Sequence, residues 1–264
     1  MRWIVLLFTA WLCSPVANAA GFGDLFEGEA GLTVIIRDAS QQVDYIHNCR
    51  GVAKSYVVYS TFKVPNTIIA LETGVAASPE AEFKFDPQRQ RNGFRKDAAY
   101  NRDQTLESAF KASVVWTYQE IAKSVGRERY GEYLRLFNYG NRDISGDIRR
   151  FWLDRLAISP IGQVEFLEKI YTNELGLKGS TVQAVKSMML LDSGKGYRLY
   201  GKTGTGRPKG GKWQGWLVGF VGSGAKVYYY AIHAQADTYP ELKSWRMEVL
   251  REGFRFLGVE IGGD

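Results

Sequence analysis

The chain has 264 residues, of which 45% are hydrophobic and 23% are charged, and its formal net charge is +6. This length and apolar content suffice for one compact domain, or two closely fused layers, around a large core. The basic residues are scattered along the chain rather than clustered. That distribution predicts a solvated, mildly basic surface and argues against a nucleic-acid partner.

The first residues are typical of a secretory signal peptide. Arg2 gives a positively charged start, residues 4–13 form a short apolar run, and Ala17-Asn18-Ala19 has the small-x-small pattern of a cleavage site. The apolar run is too short for a comfortable membrane span. We therefore expect residues 1–19 to be removed, leaving residues 20–264 as one periplasmic domain without stable membrane insertion. An uncleaved N-terminal anchor is the alternative interpretation.

Cys49 is the only cysteine of the expected mature chain. A single cysteine cannot form an internal disulfide, and it also excludes a metal site built from two cysteines. We therefore predict a fold that depends on its core and a protein without a metal site.

The N-terminal half mixes strand and helix patterns. The β-branched, apolar runs 32–36 and 43–46 predict a hairpin. A helix is expected to begin at Ser60 and to stop near Gly74, because apolar residues recur between them at helical spacing. After a polar loop, residues 105–125 and 129–136 are both predicted to be helical.

The C-terminal half returns to strands. Ser159 followed by Pro160 marks a helix start, and residues 182–191 predict a further short helix. Three strand-like runs and one last helix follow, at residues 198–203, 213–221, 226–234 and 241–256. Because strands at both ends enclose helices, we predict an α/β fold of the α+β type, with an antiparallel sheet built from both chain ends and a helical subdomain inserted.

The first chemical motif is the tetrad Ser60-x-x-Lys63. Residues three apart on a helix share a face, so the tetrad places a hydroxyl beside an amine, a nucleophile beside a base. At a helix start, free amides and the positive end of the helix dipole suit a nucleophile whose attack creates an oxyanion. The same spacing occurs at Ser108–Lys111 and Ser223–Lys226, which are predicted to lie within a helix and in a hairpin turn.

Lys202-Thr203-Gly204 has two interpretations. Residues 196–203 match the phosphate-binding pattern G-x-x-x-x-G-K-T, but the middle of the match is Tyr-Arg-Leu-Tyr, a strand former, and the glycine-rich stretch 204–211 cannot open a helix. We favour a strand beside Ser60, on which the lysine attracts a substrate carboxylate, the threonine donates a hydrogen bond and the glycine leaves room for a ligand. An ordinary exposed strand lysine is the alternative.

Together with three further motifs, the chain resembles the class D serine β-lactamases of the penicillin-recognising acyl-serine family. The motifs occur in family order over nearly the whole expected mature chain: Ser60-Thr61-Phe62-Lys63, Ser113-Val114-Val115, Tyr139-Gly140-Asn141, Phe151-Trp152-Leu153 followed by Ser159 and Gln163, and Lys202-Thr203-Gly204. The resemblance implies the β-lactamase/transpeptidase fold. Pro160, Gly162 and the surroundings of Arg246 depart from the family pattern.

The resemblance implies roles for these residues in the hydrolysis of a β-lactam, which would give antibiotic resistance. Ser60 would be the nucleophile, and Lys63, carboxylated by carbon dioxide or bicarbonate, would be the base. Ser113 would pass a proton to the leaving nitrogen beside Lys202, and the amides of Ser60 and Thr205 would form the oxyanion hole. No cofactor is expected apart from the carbon dioxide.

The remaining residues would support this chemistry. The resemblance implies that Val115 and Leu153 keep the base dry, that the Trp152 indole holds the carbamate oxygens, and that Arg246 binds the substrate carboxylate with Thr203 and Gly204. Ordinary core packing is the alternative for Val115 and Trp152, and a buried helix serine is the alternative for Ser113. Structural roles are expected for the following: His47, His233, Tyr139, Gly140 and Asn141.

Two other functions use the same motifs. A β-lactam sensor domain would be acylated without turnover, and a cell-wall peptidase would act on peptides. The expected cleavable leader argues against the membrane-bound sensor, and Ser113-Val114-Val115 argues against the peptidase. For the favoured hydrolase the expected partner is a small-molecule β-lactam substrate, and the protein is expected to be a monomer or a homodimer.

Overall fold

A computed structural model describes residues 21–88 and 98–262 of the protein. The predicted signal peptide, residues 1–19, lies outside the described residues. Within the described ranges, no helix has the length and apolar character needed to cross a membrane.

The strands belong to one large sheet and two small ones. In chain order, the described residues contain β1 Leu32–Asp38, β2 Val43–His47, β3 Tyr56–Val57, β4 Glu82–Phe83, β5 Gln104–Thr105, β6 Ala157–Ile158, β7 Leu190–Gly194, β8 Tyr197–Gly206, β9 Trp213–Ser223 and β10 Lys226–Ala236. The large sheet is antiparallel in the order β2-β1-β10-β9-β8-β7, while β3 pairs with β6 and β4 with β5. Because β1 pairs directly with β10, the prediction of a sheet built from both chain ends is confirmed.

The helices lie mostly between β3 and β7 in sequence. In chain order they are α1 Cys49–Ala53, α2 Lys63–Glu72, α3 Leu106–Lys111, α4 Val115–Val125, α5 Arg127–Leu136, α6 Phe151–Asp154, α7 Pro160–Thr172, α8 Gly179–Met189 and α9 Tyr239–Phe256. Short 3₁₀ turns occur at Gly23–Phe26 and Tyr59–Phe62. The Ser159 hydroxyl accepts a hydrogen bond from the Gly162 amide, which confirms the predicted cap of α7.

Three sequence predictions were wrong in their bounds. The helix expected over residues 105–125 is broken at Ser113, whose φ of 57° lies in the left-handed region and ends the helical hydrogen bonding. The helix expected over 182–191 ends at Met189, since Leu190 and Leu191 are exposed residues of the edge strand β7. The helix expected from Ser60 begins at Lys63, and Ser60 lies in the preceding 3₁₀ turn.

Both faces of the sheet are covered, and alternation along the strands decides which side chain faces which layer. Leu199, Leu217 and Tyr230 are buried in the cluster that includes Leu250 and Phe254 of α9. Trp216 and Val218 of β9 are buried on the opposite face, in the cluster formed with the inserted helices. Because Lys202 is paired with Val218 and Gly204 with Trp216, these two residues of β8 face the helical subdomain.

Candidate active site

The tetrad Ser60–Lys63 joins the 3₁₀ turn to helix α2, at the boundary between the sheet and the helical subdomain. Lys63 Nζ donates a hydrogen bond to Ser60 Oγ across 3.1 Å. The Lys63 side chain is only 2% exposed. Burial, with a further contribution from the positive charge of Lys202, holds the pKa of Lys63 well below its ordinary value. The amine therefore favours its neutral form, which can accept a proton or react with an electrophile.

A buried hydrogen-bond network holds the turn that carries Ser60. The Thr61 hydroxyl donates to the Val58 carbonyl across 2.6 Å and accepts from the Gln163 amide nitrogen across 3.1 Å. The Tyr139 hydroxyl donates to the Oε1 atom of the same Gln163 amide group across 3.4 Å. Helix α7 is thereby connected to the residue next to the nucleophile.

Ser113 and Lys202 form a second hydroxyl–amine pair. Ser113 lies in the break between α3 and α4, and Lys202 Nζ donates to Ser113 Oγ across 3.1 Å and to the Thr203 carbonyl across 3.0 Å. Burial, and secondly the charge of Arg246, lowers the pKa of Lys202 to about 7. This lysine can therefore change its charge near neutral pH.

Beyond Lys202, strand β8 approaches the Ser60 turn closely. A Cβ atom at Gly204 would lie 3.0 Å from the Val58 oxygen and 3.1 Å from the Thr61 nitrogen. These distances are tighter than ordinary contacts of a Cβ atom, so a side chain here would push the two backbones apart by a few tenths of an ångström. The Thr203 side chain is exposed, and the Thr205 hydroxyl accepts a hydrogen bond from Arg246 across 3.0 Å.

Arg246 of helix α9 reaches this end of β8 from the opposite layer. Its side chain is 7% exposed, and burial lowers its pKa. Besides the Thr205 hydroxyl, its Nη1 atom lies 3.4 Å from the carbonyl oxygens of Gly204 and Trp216. These acceptors are all neutral, so the guanidinium charge stays available for an anion.

The predicted apolar support residues lie near the site in different surroundings. Trp152 is 1% exposed, and its ring stacks on Phe62 with centroids 6.0 Å apart. Val115 and Leu153 are half-buried against the same core cluster. The proposed contact of the Trp152 indole with a modified lysine stays a prediction.

Tyr139-Gly140-Asn141 contacts the segment between α6 and α7. Gly140 has a φ of 53°, and a Cβ atom there would overlap the Ala157 carbonyl oxygen. Asn141 accepts a hydrogen bond from the Ala157 amide through its side chain and donates to the Arg155 carbonyl, each across 3.0 Å. The motif therefore ties this segment in place through backbone contacts.

Sequence reasoning missed residues that surround the two lysines. Tyr118 is fully buried, its ring centroid is 5.0 Å from Lys63 Nζ, and its hydroxyl lies 2.6 Å from that of Thr67. Its position three residues after Val115, on the same face of α4, could have indicated it. The Tyr100 hydroxyl accepts a hydrogen bond from the Val115 amide across 2.7 Å, a contact between distant residues that no sequence pattern indicates. Within the described ranges, no group of acidic, histidine or cysteine side chains is placed to hold a metal ion.

Comparisons with known proteins agree with this fold. Residues 36–251 match the family model of the penicillin-binding protein transpeptidase domain. The chain is 35% identical to the β-lactamase OXA-19 of Pseudomonas aeruginosa over 86% of this chain and 85% of that protein. The crystal structure of the class D β-lactamase YbXI from Nostoc superposes with a TM-score of 0.83 at 31% identity, covering 90% of this chain and 98% of that one.

The fold is thus that of the penicillin-binding protein transpeptidase domain family. Within it, the chain belongs to the class D serine β-lactamases. The resemblance and the fold predicted from the motifs are thereby confirmed. The chain is also 30% identical to the regulatory protein BlaR1 of Bacillus licheniformis, over 82% of this chain and 35% of that protein.

Proposed function

We propose that this protein hydrolyses the amide bond of β-lactams through an acyl-enzyme on Ser60 and thereby gives resistance to β-lactam antibiotics. One observation carries the proposal: Lys63 Nζ lies 3.1 Å from Ser60 Oγ, and Lys63 is buried. A hydroxyl is a weak nucleophile unless a base next to it takes its proton. A lysine kept neutral by burial meets that requirement without histidine.

In the first step, Ser60 Oγ attacks the lactam carbonyl carbon while the base takes the hydroxyl proton. The carbon–nitrogen bond then breaks, and Ser113 gives its proton to the leaving nitrogen and receives one from Lys202. The amides of Ser60 and Thr205 would stabilise the developing oxyanion, a contribution of about 3 kcal/mol for each donor. The short distance between Lys202 and Ser113 supports this proton path.

The base is proposed to be the carbamate of Lys63. A neutral amine adds carbon dioxide, forming a nitrogen–carbon bond and releasing one proton. The low pKa of Lys63 supports this reaction, because the protonated amine has no free electron pair. The carbamate would then activate the water that hydrolyses the acyl-enzyme, with Val115, Trp152 and Leu153 limiting access of other water.

The substrate carboxylate is proposed to bind at the end of strand β8. Arg246 and Lys202 supply positive charge there, Thr203 supplies a hydroxyl, and Gly204 leaves the strand open to a ligand. A bidentate guanidinium–carboxylate contact is the strongest of these interactions. It orients the lactam carbonyl toward Ser60.

A sensor that is acylated once without turnover is the second candidate. It is supported by the 30% identity to a regulatory protein over 82% of this chain, although the match covers only 35% of that protein. The two functions differ only in deacylation. A chromogenic cephalosporin mixed with the purified protein, with and without bicarbonate, separates them. Many turnovers that bicarbonate restores after acid treatment support the proposed enzyme, and one stoichiometric burst supports the sensor.

Two serine variants test the nucleophile in the same assay. Ser60→Ala should abolish turnover and the covalent adduct seen by mass spectrometry. Ser223→Ala is the matched control, since it removes the serine of another Ser-x-x-Lys sequence at the end of β9. Turnover by Ser60→Ala at the rate of the control would contradict the whole assignment.

We also propose that the enzyme acts in the periplasm after removal of residues 1–19. The charged start and the Ala17-Asn18-Ala19 pattern support this location. N-terminal sequencing of the protein from the periplasmic fraction should begin at Ala20. A chain that keeps Met1 and stays with the membrane fraction would overturn the proposal.

A further inference from the structure

Tyr59, the residue before the nucleophile, has an unusual backbone conformation. Its φ is 47°, in the left-handed region that non-glycine residues seldom adopt. Such a conformation costs on the order of 1–3 kcal/mol and persists only where the surroundings hold it. The Tyr59 side chain is 4% exposed, so packing around its ring can supply that restraint.

The ring lies directly on Gly206, near the end of strand β8. A Cβ atom at position 206 would overlap three carbon atoms of the Tyr59 ring. Gly206 has no positive φ, so glycine is not needed here for the backbone conformation. It is needed because a side chain would occupy the space that the Tyr59 ring fills. The ring and the strand therefore fit together only while residue 206 is glycine.

Gly204 and Gly206 of β8 together form a flat surface against which the 3₁₀ turn Tyr59–Phe62 packs. They alternate with Thr205, so both face the side of the sheet on which Lys202 lies. Gly204 accommodates the backbone of Val58 and Thr61, and Gly206 accommodates the ring of Tyr59. The turn before α2 is thus seated on β8 at two consecutive positions of the same face.

This contact is adjacent to both proposed oxyanion donors. Tyr59 immediately precedes Ser60, and Gly206 immediately follows Thr205. The Ser60 amide belongs to the peptide unit that follows Tyr59, and the Thr205 amide lies one residue before Gly206, so a displacement at the ring acts next to both donors. The spacing of the two donors therefore depends on how closely the ring meets the strand.

We infer that the Tyr59 ring, packed on Gly206, is a positioning element that sets the distance between the amides of Ser60 and Thr205. The inference rests on the proposed function, because it concerns the oxyanion hole of that reaction. The contact involves ring carbons, so Tyr59→Phe should keep it. Filling position 206 should shift the two amides relative to each other while leaving the two lysines, Lys63 and Lys202, in place.

The experiment measures the acylation rate constant with a chromogenic cephalosporin by rapid mixing. Gly206→Ala should acylate about 100-fold more slowly, as expected for a misplacement of about 1 Å. The dissociation constant of the non-covalent complex, from the same experiment, should stay near that of the unaltered protein. Gly222→Ala is the matched control, since a Cβ atom at this strand glycine would meet nothing within 4 Å and the variant should acylate normally.

A double variant shows whether the effect of Gly206→Ala on acylation depends on the Tyr59 ring. In a Tyr59→Gly background, which removes the ring, the further change Gly206→Ala should alter the acylation rate less than about 3-fold, because coupled residues are not additive. Thermal unfolding of each variant reports stability separately. If Gly206→Ala does not fold, the rescue is measured as recovery of a folded, acylating protein in the double variant.

Two results would overturn the inference. One is normal acylation by folded Gly206→Ala. The other is an equal loss on Gly206→Ala with and without the Tyr59 ring, which would mean that the two residues act independently. Turnover by the unaltered protein tests the proposed function on its own, so an active enzyme with uncoupled residues rejects only this inference.

Discussion

The guanidinium of Arg246 donates a hydrogen bond to the hydroxyl of Thr205 across 3.0 Å. Thr205 is proposed to supply an oxyanion donor through its backbone, and Arg246 is proposed to bind the substrate carboxylate. Thr205 therefore links the proposed oxyanion hole to the proposed binding site of the substrate carboxylate. The arginine is held on this strand before any ligand arrives, which reduces the ordering cost of binding.

Thr205→Val tests that connection, because it keeps the shape and the backbone amide and removes only the hydroxyl. We expect KM for an anionic β-lactam to rise about 10-fold, with kcat nearly unchanged, because a hydrogen bond to a charged group is lost. Steady-state kinetics measure this split. Arg246→Ala should raise KM further, and an unchanged KM in Thr205→Val would show that the hydroxyl does not position the arginine.

The fall of kcat/KM at alkaline pH should follow the deprotonation of Lys202. Its pKa of about 7 in the free protein means that its positive charge is lost as pH rises through 7. We therefore expect kcat/KM for an anionic substrate to fall above about pH 7. The limb in kcat should lie at higher pH, because a bound carboxylate favours the charged amine.

Lys202→Arg is the control for that limb. Arginine stays charged throughout the accessible pH range, so the fall in kcat/KM should flatten even if the variant is slower at every pH. An alkaline limb identical to that of the unaltered protein would assign the titration to another group.

Carboxylation of Lys63 should be lost at low pH, whereas the charge of Lys202 is lost at high pH. Lower pH protonates the amine and expels carbon dioxide, so turnover should fall on acidification and return when bicarbonate is added at neutral pH. A direct readout is the carbamate signal in ¹³C NMR after incubation with ¹³C-bicarbonate. The signal should disappear in Lys63→Ala and persist in Lys111→Ala, which removes an exposed lysine of another Ser-x-x-Lys sequence.

Parts of the fold could be predicted because their signals are local. The runs that form β8, β9 and β10 alternate or are continuously apolar, and Ser159 with Pro160 marks the start of α7. Leu190 and Leu191 misled the helix prediction, because apolar residues on an exposed edge strand resemble the end of an amphipathic helix. The left-handed Ser113 has no local signature, since a serine within an apolar helical run fits a continuous helix equally well.

In the candidate site, too, some features have a local sequence signal and others do not. Its motifs could be found in the sequence, and the structure brings Ser60 to Lys63 and Ser113 to Lys202. The contact of Tyr59 with Gly206 could not be found, because it joins residues far apart in the chain and depends on the exact approach of two elements. Such packing is decided by the tertiary fold and not by the type of either residue.

Asn141→Ala should lower the free energy of unfolding by about 1 kcal/mol, because it removes the two hydrogen bonds that the side chain makes with the backbone of Ala157 and Arg155. Urea unfolding followed by tryptophan fluorescence measures the change. Gln41→Ala, at an exposed turn position, is the control and should stay within about 0.5 kcal/mol. Equal stability of the two variants would mean that Asn141 does not hold the segment before α7.

The pairing of β1 with β10 has a consequence for how the chain comes to be folded. Leu32 meets Ala234, so roughly 200 residues must be available before this central ladder can form, and contacts of such high sequence separation slow folding. A growing chain emerging from the ribosome cannot complete the sheet, and β8 has no neighbour β9 until late in synthesis. The strand that carries Lys202 and Thr203 therefore gains its neighbour β9, and the sheet its central ladder, only after most of the chain has been made.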